Sequence, residues 1–203
     1  DARRLMPTAP AVVLVAPQLG ENIGAAARAM ANGALTDLRL VRPRDGWPND
    51  RAEANAAGAL ETLAPVRVFD TTEAAIADLT AVYATTARPR GMIKRVLTPD
   101  TAIAEIRGAI GAGGRPGILF GPERTGLDND DIARADAVIT VPLNPGFTSL
   151  NLGQAVMILA YEWFRGQAEA PPEQLVTNRT VPAEKAVLHG FFERLEAELD
   201  ASG

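Results

Sequence analysis

The feature that most constrains the fold of this chain is the alternation of short aliphatic runs with longer segments of helical periodicity. Six runs of β-forming residues predict buried strands over 11–16, 38–41, 66–69, 81–86, 117–121 and 137–143. Between them, apolar residues spaced by three and four predict helices over 23–32, 50–63, 71–79, 99–110, 128–134 and 150–164. Because strands that alternate with helices pair in parallel, we predict an α/β fold with a mostly parallel sheet and helices on both faces.

The sequence divides into one main domain and a short extension. A length of 203 residues suits one domain of ordinary size, and we predict that this domain covers 1–166. The polar, proline-bearing segment 167–182 is typical of a linker. An amphipathic helix is predicted over 183–203, and we interpret it as the start of a C-terminal extension.

Composition excludes several classes of protein. The chain has no cysteine and one histidine, so disulfides, thiolate metal sites and His-pair metal sites are excluded, and we expect no metal. No run of 18 apolar residues and no signal-peptide core is present, so we expect no membrane association and a cytoplasmic location. The net charge of −5 argues against nucleic-acid binding by overall charge, although 88–95 holds four cations and no acid.

Common nucleotide and hydrolase signatures are absent. The sequence has no P-loop, no G-x-G-x-x-G after the first strand and no G-x-S-x-G. Ligands of parallel sheets bind outside the carboxyl ends of the strands. The loops that follow the predicted strands are therefore the candidates for a site.

The first of these loops leads into "NIGAAARAMANG", where small apolar residues surround a single arginine, Arg28. Gly24 and the alanines predict the close approach of another backbone, and Asn22 is a candidate helix cap. Arg28 must either reach solvent and pair with a surface acid or meet an anion, because its guanidinium keeps its charge. The segment alone leaves both interpretations open.

Three further loops carry polar groups beyond what a turn requires. "TTARPRGMIKR" is either a solvated basic loop or a phosphate clamp. "LFGPERTGLDNDD" constrains the backbone with glycine and proline, exposes Glu123, and supplies Asp128 as a helix cap. "VPLNPGFTSLNLGQAV" brings Ser149 and Asn151 to the start of an apolar helix, where they either cap it or bind a ligand.

Taken together, these loops resemble the TrmH family of the SPOUT superfamily of RNA methyltransferases. "ENIGAAARAM", "LFGPERTGL" and "VPLNPGFTSLNLGQAV" are similar to its three motifs in order and spacing, and the resemblance covers 11–166. "TTARPRG" and "ANAAGALETL" resemble the TrmJ branch. One position departs from the family: Ala34 stands where a glycine is common, with Gly33 one residue earlier.

The resemblance implies a fold, a reaction and an assembly. The expected fold is of the SPOUT type with a C-terminal trefoil knot. The expected reaction is the methylation by S-adenosylmethionine of a ribose 2′-hydroxyl of tRNA, at C or U in position 32 of the anticodon loop. The expected assembly is a homodimer with the active site near the subunit interface, in which the third-motif helix packs across the two-fold axis. From the unbroken apolar run on that helix we predict that the contact includes Val156, Leu159 and Ala160.

The resemblance also assigns roles to residues. Arg28 is expected to be catalytic, and it would grip a phosphate and the 2′-oxygen. The expected substrate-binding residues are Asn22, Arg88 and Arg90, and the expected orienting residues are Glu123 and Asn151. The expected cofactor-binding residues are Thr85, Thr86, Ala87, Gly121, Val141, Thr148, Ser149 and Leu150.

Three alternatives stay open at this point. The methylated ribose could belong to another tRNA site or to rRNA. The chain could be an RNA-binding module that kept the fold without catalysis. It could also be an unrelated α/β enzyme that acts on a small phosphorylated molecule.

Overall fold

The computed structural model describes residues 9–86, 93–167 and 183–202. Its strands are β1 (Ala11–Val15), β2 (Leu38–Val41), β3 (Arg67–Phe69), β4 (Ala81–Thr85), β5 (Arg95–Leu97), β6 (Pro116–Phe120) and β7 (Ala137–Ile139). Its α-helices are α1 (Gly20–Asn32), α2 (Asp50–Ala56), α3 (Thr72–Ile76), α4 (Pro99–Gly111), α5 (Asn129–Ala133), α6 (Leu152–Arg165) and α7 (Lys185–Ser202). A 3-10 helix covers Ala59–Thr62.

The strands form one sheet in the order β3-β2-β1-β6-β4-β7-β5. Each described pair is parallel, so the carboxyl ends of all seven strands lie at one edge. The α/β class with a largely parallel sheet is thereby confirmed. β6, β4 and β7 are neighbours, which brings the loops that follow them together.

Each face of the sheet packs against helices through its own hydrophobic cluster. Alternate residues of β1 separate onto the two faces, with Val12 and Leu14 in one cluster and Val13 and Val15 in the other. Helices α1, α2, α4 and α6 contribute to the first cluster, and α3 and α5 contribute to the second. Because both faces of the sheet are buried, the strand sequences are continuous aliphatic runs and do not alternate between apolar and polar residues.

Glycines set the spacing between α1 and its neighbours. A Cβ at Gly24 would lie 2.3 Å from the carbonyl oxygen of Ala52, so the predicted close approach at Gly24 is confirmed. A Cβ at Gly153 would lie 2.7 Å from the Cβ of Ala25, and a Cβ at Gly33 would lie 2.8 Å from that of Ala160. The residue numbers rise together along both helices, so α1 and α6 pack closely and run in the same direction.

Local details differ from the sequence predictions: the predicted strand 137–143 ends at Ile139, and the predicted helix 71–79 covers only Thr72–Ile76. The predicted helix 50–63 is interrupted, because Ala57 and Gly58 adopt left-handed conformations at φ +49° and +82°. The short edge strand β5 falls in a basic segment that was predicted to be a loop. Charged residues on an edge strand discourage pairing with other chains. They also interrupt the aliphatic run by which a strand is recognised in the sequence, so β5 was not predicted.

The ends of α1 also correct the sequence analysis. The helix begins at Gly20 with Leu19 in the capping position, so Asn22 is not its cap. At the other end Ala34 adopts a left-handed conformation with φ +55°, at the position where the resemblance implies a glycine. Gly33 has an ordinary φ of −94°, and its lack of a side chain serves the contact with α6.

The expected interface residues on α6 are buried within the protomer. Val156, Leu159 and Ala160 are 0%, 1% and 0% exposed, so they cannot contact another chain. The prediction was wrong because an apolar helix beside a sheet must first cover that sheet. Instead, the apolar side chains of α6 that remain exposed are Met157 at 38%, Tyr161 at 55% and Phe164 at 43%.

The chain separates into two compact units, Asp1–Ala168 and Glu169–Gly203. The predicted linker 167–182 lies outside the described residues apart from its first position. In the second unit α7 carries the predicted amphipathic pattern over Lys185–Ser202. Across the described parts of the chain, no helix is long and apolar enough to span a membrane.

Candidate active site

A pocket of about 400 Å³ opens at the carboxyl ends of β6, β4 and β7. Its lining combines apolar side chains with threonine and serine hydroxyls and the backbone of three loops. The lining residues are Thr85, Thr86, Phe120, Gly121, Pro122, Glu123, Arg124, Thr125, Gly126, Leu127, Ile139, Val141, Leu143, Thr148, Ser149, Leu150, Leu152 and Ala155. A concave, mostly apolar site with few polar groups is typical of small-molecule binding.

The pocket brings together seven of the eight residues that the sequence analysis assigned to the cofactor. They come from three loops that are distant in the sequence, and they are Thr85, Thr86, Gly121, Val141, Thr148, Ser149 and Leu150. The eighth, Ala87, lies outside the described residues, as do Arg88 and Arg90. The ligand-binding roles of all these residues stay predictions.

The ends of β4 and β7 are joined by hydrogen bonds beside the pocket. The Thr86 amide donates to the Ile139 carbonyl at 3.1 Å, and the Thr140 hydroxyl donates to the Thr86 carbonyl at 3.2 Å. The Thr85 hydroxyl donates to the Leu119 carbonyl of β6 at 2.9 Å. Because the Thr85 hydroxyl already donates to a strand carbonyl, it cannot donate to a ligand at the same time. Thr85 can contact a ligand through its methyl group, its backbone and the lone pairs of its hydroxyl oxygen.

The loop after β6 forms one wall of the pocket and is tightly folded. A Cβ at Gly121 would lie 2.1 Å from the Leu127 amide nitrogen, so only glycine fits there. The Gly126 amide donates to the Pro122 carbonyl at 2.8 Å, with Gly126 at φ +67°. Asp128 then caps α5, as predicted, by accepting from the Asp131 amide at 2.8 Å.

Glu123 ties this loop to the start of α1. One carboxylate oxygen accepts from the Gln18 amide at 2.8 Å, and the other accepts from the Leu19 amide at 3.2 Å and from Asn22 Nδ2 at 2.8 Å. A negative charge at the amino end of a helix also interacts favourably with the helix dipole. The Glu123 carboxylate, from a distant loop, thus accepts N–H groups at the start of α1 that a local capping side chain would otherwise accept.

Asn151 extends the same network to α6. Its Nδ2 donates to Asn22 Oδ1 at 2.7 Å, while its own Oδ1 accepts from the Gly153 amide at 2.8 Å. Gln154 completes a capping box, because its side chain accepts from the Asn151 amide at 3.1 Å. The three motif segments are therefore connected through Glu123, Asn22 and Asn151, in support of the orienting role expected for Glu123 and Asn151.

Asn22, which was predicted to bind substrate, lies inside this network. The residue is 9% exposed, and both ends of its side-chain amide make hydrogen bonds within the network. Burial of a polar group is tolerated when its hydrogen bonds are satisfied, and here they are. The geometry therefore favours a structural, orienting role for Asn22 in place of direct contact with a substrate.

Arg28 is exposed and is absent from the lining of the pocket of its own chain. Within the described residues it makes no hydrogen bond or ion pair, so the alternative of an arginine paired with a surface acid does not hold there. It lies one helical turn beyond Ala25, which contacts α6. Arg28 is therefore available to an anion from outside the protomer.

The charge of Glu123 also extends to the loop after β2. The hydrogen bond to Asp45 raises the pKa of the exposed Arg44 above its ordinary value, and the negative charge of Glu123 adds to this effect. The Arg44 amide donates to the Pro17 carbonyl at 3.0 Å, which fixes this loop beside the segment before α1. Within the described residues, no group of three or more His, Cys, Asp or Glu is arranged to hold a metal ion.

Sequence reasoning missed two features of the site. Arg124 lines the pocket although it was not assigned a role, and its position directly after Glu123 in "LFGPERTGL" was the available signal. The backbone amides of Gln18 and Leu19 bind Glu123, and no side-chain pattern could have indicated them.

Comparison with known proteins gives a consistent set of similarities. The model of the SpoU rRNA Methylase family matches residues 9–161. A tRNA (cytidine/uridine-2′-O-)-methyltransferase TrmJ from Yersinia pestis is 36% identical over 199 residues, which cover 95% of this chain and 75% of that protein. A tRNA (cytidine/uridine/adenosine-2′-O-)-methyltransferase TrmJ from Pseudomonas aeruginosa is 38% identical over 162 residues, which cover 78% of this chain and only 63% of that protein.

The fold has a solved counterpart. The crystal structure of TrmJ from Z. mobilis ZM4 is 51% identical in sequence and superimposes with a TM-score of 0.74, covering 96% of this chain and 81% of that one.

Proposed function

This chain belongs to the SpoU rRNA Methylase family, and from that membership we propose that it methylates a ribose 2′-hydroxyl of tRNA with S-adenosylmethionine as methyl donor. The target is C or U at position 32 of the anticodon loop. The curated relatives named TrmJ support the reaction and the RNA class. The observation that carries the proposal is that the loops after β4, β6 and β7 line one pocket, and that Glu123, Asn22 and Asn151 connect this pocket to the helix of Arg28.

The pocket fits the methyl donor in size and chemistry. Apolar side chains such as Phe120, Leu127 and Ile139 offer a surface for an adenine ring, and backbone groups of the glycine-bearing loop offer polar partners. Thr148 and Ser149 line the same pocket, and within the described residues their hydroxyls make no hydrogen bond to the protein. These hydroxyls are suited to ribose or to the amino-acid part of the donor.

When bound, S-adenosylmethionine supplies a methyl group on a sulfonium, and its transfer to the 2′-oxygen breaks the C–S bond and forms a C–O bond. The protein supplies position and charge. Arg28 is unsuited to remove the hydroxyl proton as a base, because a guanidinium keeps its charge in proteins. Instead it holds an adjacent phosphate and stabilises charge that develops on the 2′-oxygen, while the proton leaves to phosphate or water.

We also propose that the active unit is a homodimer in which Arg28 serves the pocket of the partner subunit. Arg28 does not line its own pocket, and it lies on α1 one turn beyond Ala25, which packs against α6. Met157, Tyr161 and Phe164 expose an apolar stripe on α6. A stripe that pairs with its own copy makes a two-fold symmetric contact. A stable monomer at micromolar concentration in sedimentation would contradict this proposal.

Subunit complementation tests the sharing of the site. Arg28→Ala protomers are mixed with Leu143→Trp protomers, whose indole is meant to fill the pocket. If Arg28 acts across the interface, random pairing restores about a quarter of wild-type activity, since one in four sites is then intact. If Arg28 acts within its own protomer, the mixture stays as inactive as either variant. A control on Leu143→Trp alone must show that it no longer binds S-adenosylmethionine but keeps a normal melting curve, so that the pocket is blocked and the fold is intact.

RNA affinity is proposed to come from the basic loop of Arg88 and Arg90. Arg→Ala at both positions should weaken tRNA binding and flatten its salt dependence by about one unit of log–log slope per lost phosphate contact. The double variant Arg115→Ala and Arg134→Ala removes the same charge from elsewhere in the chain and is the matched control. An unchanged slope for the first variant would show that Arg88 and Arg90 do not contact phosphates.

The sheet order supports the proposal of a trefoil knot. β7 lies between β4 and β5, although β4 and β5 follow each other in the chain, so a later strand is inserted between two earlier ones. Stretching the domain between residues 9 and 167 with optical tweezers tests the knot. A knotted chain stops short of its full contour length of about 3.3–3.6 Å per residue, whereas an unknotted chain reaches it.

Methylation of another tRNA site or of rRNA is the second candidate, and the description of the matched family favours it. Mass-spectrometric mapping of 2′-O-methyl groups in tRNA and rRNA, from cells with and without the gene, separates the two. Loss of a single methyl at position 32 supports the first candidate. Loss at another position supports the second.

For either target, we propose that the protein acts in the cytoplasm.

A further inference from the structure

Arg124, at the tip of the loop after β6, is a cationic residue that has no role in the mechanism proposed above. Arg124 lines the pocket, is exposed, and makes no hydrogen bond or ion pair within the described residues. Among the described lining residues, the ionisable side chains are Glu123 and Arg124. The charge balance of the pocket therefore depends on these two groups.

Glu123 is already committed to the protein. Its two oxygens accept three N–H groups, from Gln18, Leu19 and Asn22. A carboxylate with these partners has little capacity left for a ligand, and its charge is offset by the amino end of α1. Within the described lining, Arg124 is thus the one ionised group that is available to a bound molecule.

The backbone that carries Arg124 is held in place. The Gly126 amide closes the loop on the Pro122 carbonyl at 2.8 Å, and Gly121 leaves no room for a side chain against Leu127. The loop thus fixes the Cα of Arg124 at the edge of the pocket, and the guanidinium itself stays free. A planar guanidinium that extends from a fixed point at the edge of the pocket is suited to bidentate binding of a carboxylate.

We propose that Arg124 binds the carboxylate of the methionine part of the methyl donor, an assignment that rests on the proposed function. The carboxylate is the only anionic group of S-adenosylmethionine. The other lining side chains around the committed Glu123 are apolar or carry hydroxyls, so none of them can neutralise that charge. Arg124 is accordingly a cofactor-binding residue, distinct from Arg28, which acts on RNA.

Calorimetry with two ligands that differ only in this group tests the assignment. S-adenosylmethionine and its decarboxylated form are titrated into the wild type and into Arg124→Gln. The substitution should weaken S-adenosylmethionine binding about tenfold, as expected for the loss of a charged hydrogen-bonded pair at a partly open site. It should leave the affinity for the decarboxylated ligand unchanged, and Arg124→Lys should fall between the two proteins.

Arg134→Gln is the matched control, because Arg134 is paired with Glu73 and does not line the pocket. Equal losses for both ligands in Arg124→Gln would overturn the assignment and indicate a loop-stabilising residue. Unchanged donor affinity with weakened tRNA affinity would also overturn it, in favour of a phosphate contact. If the wild type bound both ligands equally well, the role of Arg124 would be refuted, but the proposed function would stand. A wild type that binds neither ligand would overturn the proposed function and the assignment with it.

Discussion

Glu123→Gln is the substitution that tests the connected network most sharply. A carboxylate accepts on both oxygens, and here one oxygen receives the Gln18 amide and the other receives Leu19 and Asn22. A glutamine side chain has one acceptor oxygen. If that oxygen keeps the two bonds to Leu19 and Asn22, the new NH₂ group faces the N–H of Gln18 and two donors oppose each other.

The expected loss of stability follows from these contacts. The partly buried bond to Gln18 is charge-assisted and contributes about 1.5 kcal/mol. Loss of the negative charge weakens the two remaining bonds and removes about 0.3–1 kcal/mol of interaction with the dipole of α1. The free energy of unfolding should therefore fall by about 2–3 kcal/mol, which lowers the melting temperature by roughly 4–10 °C in a domain of this size.

Urea denaturation and scanning calorimetry measure the loss of stability, with Glu53→Gln as control. Glu53 is an exposed helical glutamate of α2, and its substitution should change stability by less than about 0.5 kcal/mol. Binding of S-adenosylmethionine to Glu123→Gln should stay within a few fold of the wild type, whereas methyl transfer should drop more, because the start of the Arg28 helix loosens. Equal stabilities for the two variants would refute the reasoning.

Three further predictions follow from single positions. Arg28→Lys should lower single-turnover methylation of tRNA on the order of 10²-fold with S-adenosylmethionine affinity retained, because a point charge cannot replace a planar fork; near-normal turnover would remove Arg28 from the mechanism. Ala34→Gly should raise the free energy of unfolding by about 1 kcal/mol, because the exposed Ala34 is held at φ +55°; urea denaturation showing a loss instead would contradict this. Hydrogen bonds from Arg39 hold the pKa of Asp78 below its ordinary value of 3.8, so its ionised form stabilises the fold above about pH 4 and this contribution disappears as the pH falls through the lowered native pKa. Asp78→Asn should therefore be less stable than the wild type at pH 6 and lose less stability between pH 5 and 2; parallel pH profiles would contradict this.

The sequence could predict most of the fold because the sheet is buried on both faces. Strands such as β1 and β6 are fully buried, and their aliphatic runs identify them without any knowledge of their neighbours. The order of the strands could not be predicted in this way. The insertion of β7 between β4 and β5 depends on which crossover the chain follows, and no local pattern records that.

The candidate site was predictable to the extent that single loops carry its chemistry. The residues of three loops were assigned to one site through a family resemblance, and Thr86, Gly121 and Ser149 of these loops line one pocket. The hydrogen bond between Asn22 and Asn151 was not predictable, since it joins residues 129 positions apart. For the same reason the burial of Val156 was missed, because an apolar pattern does not show which surface covers it.

Methyl transfer by the purified protein tests the central claim most directly. Unmodified tRNA transcripts are incubated with S-adenosylmethionine carrying a deuterated methyl group, and the labelled nucleotide is located by mass spectrometry after nuclease digestion. We expect one labelled 2′-O-methyl group, on C or U at position 32, that is absent with Leu143→Trp and strongly reduced with Arg28→Lys. Label on a base, or no label in a protein that binds both the donor and tRNA, would contradict it.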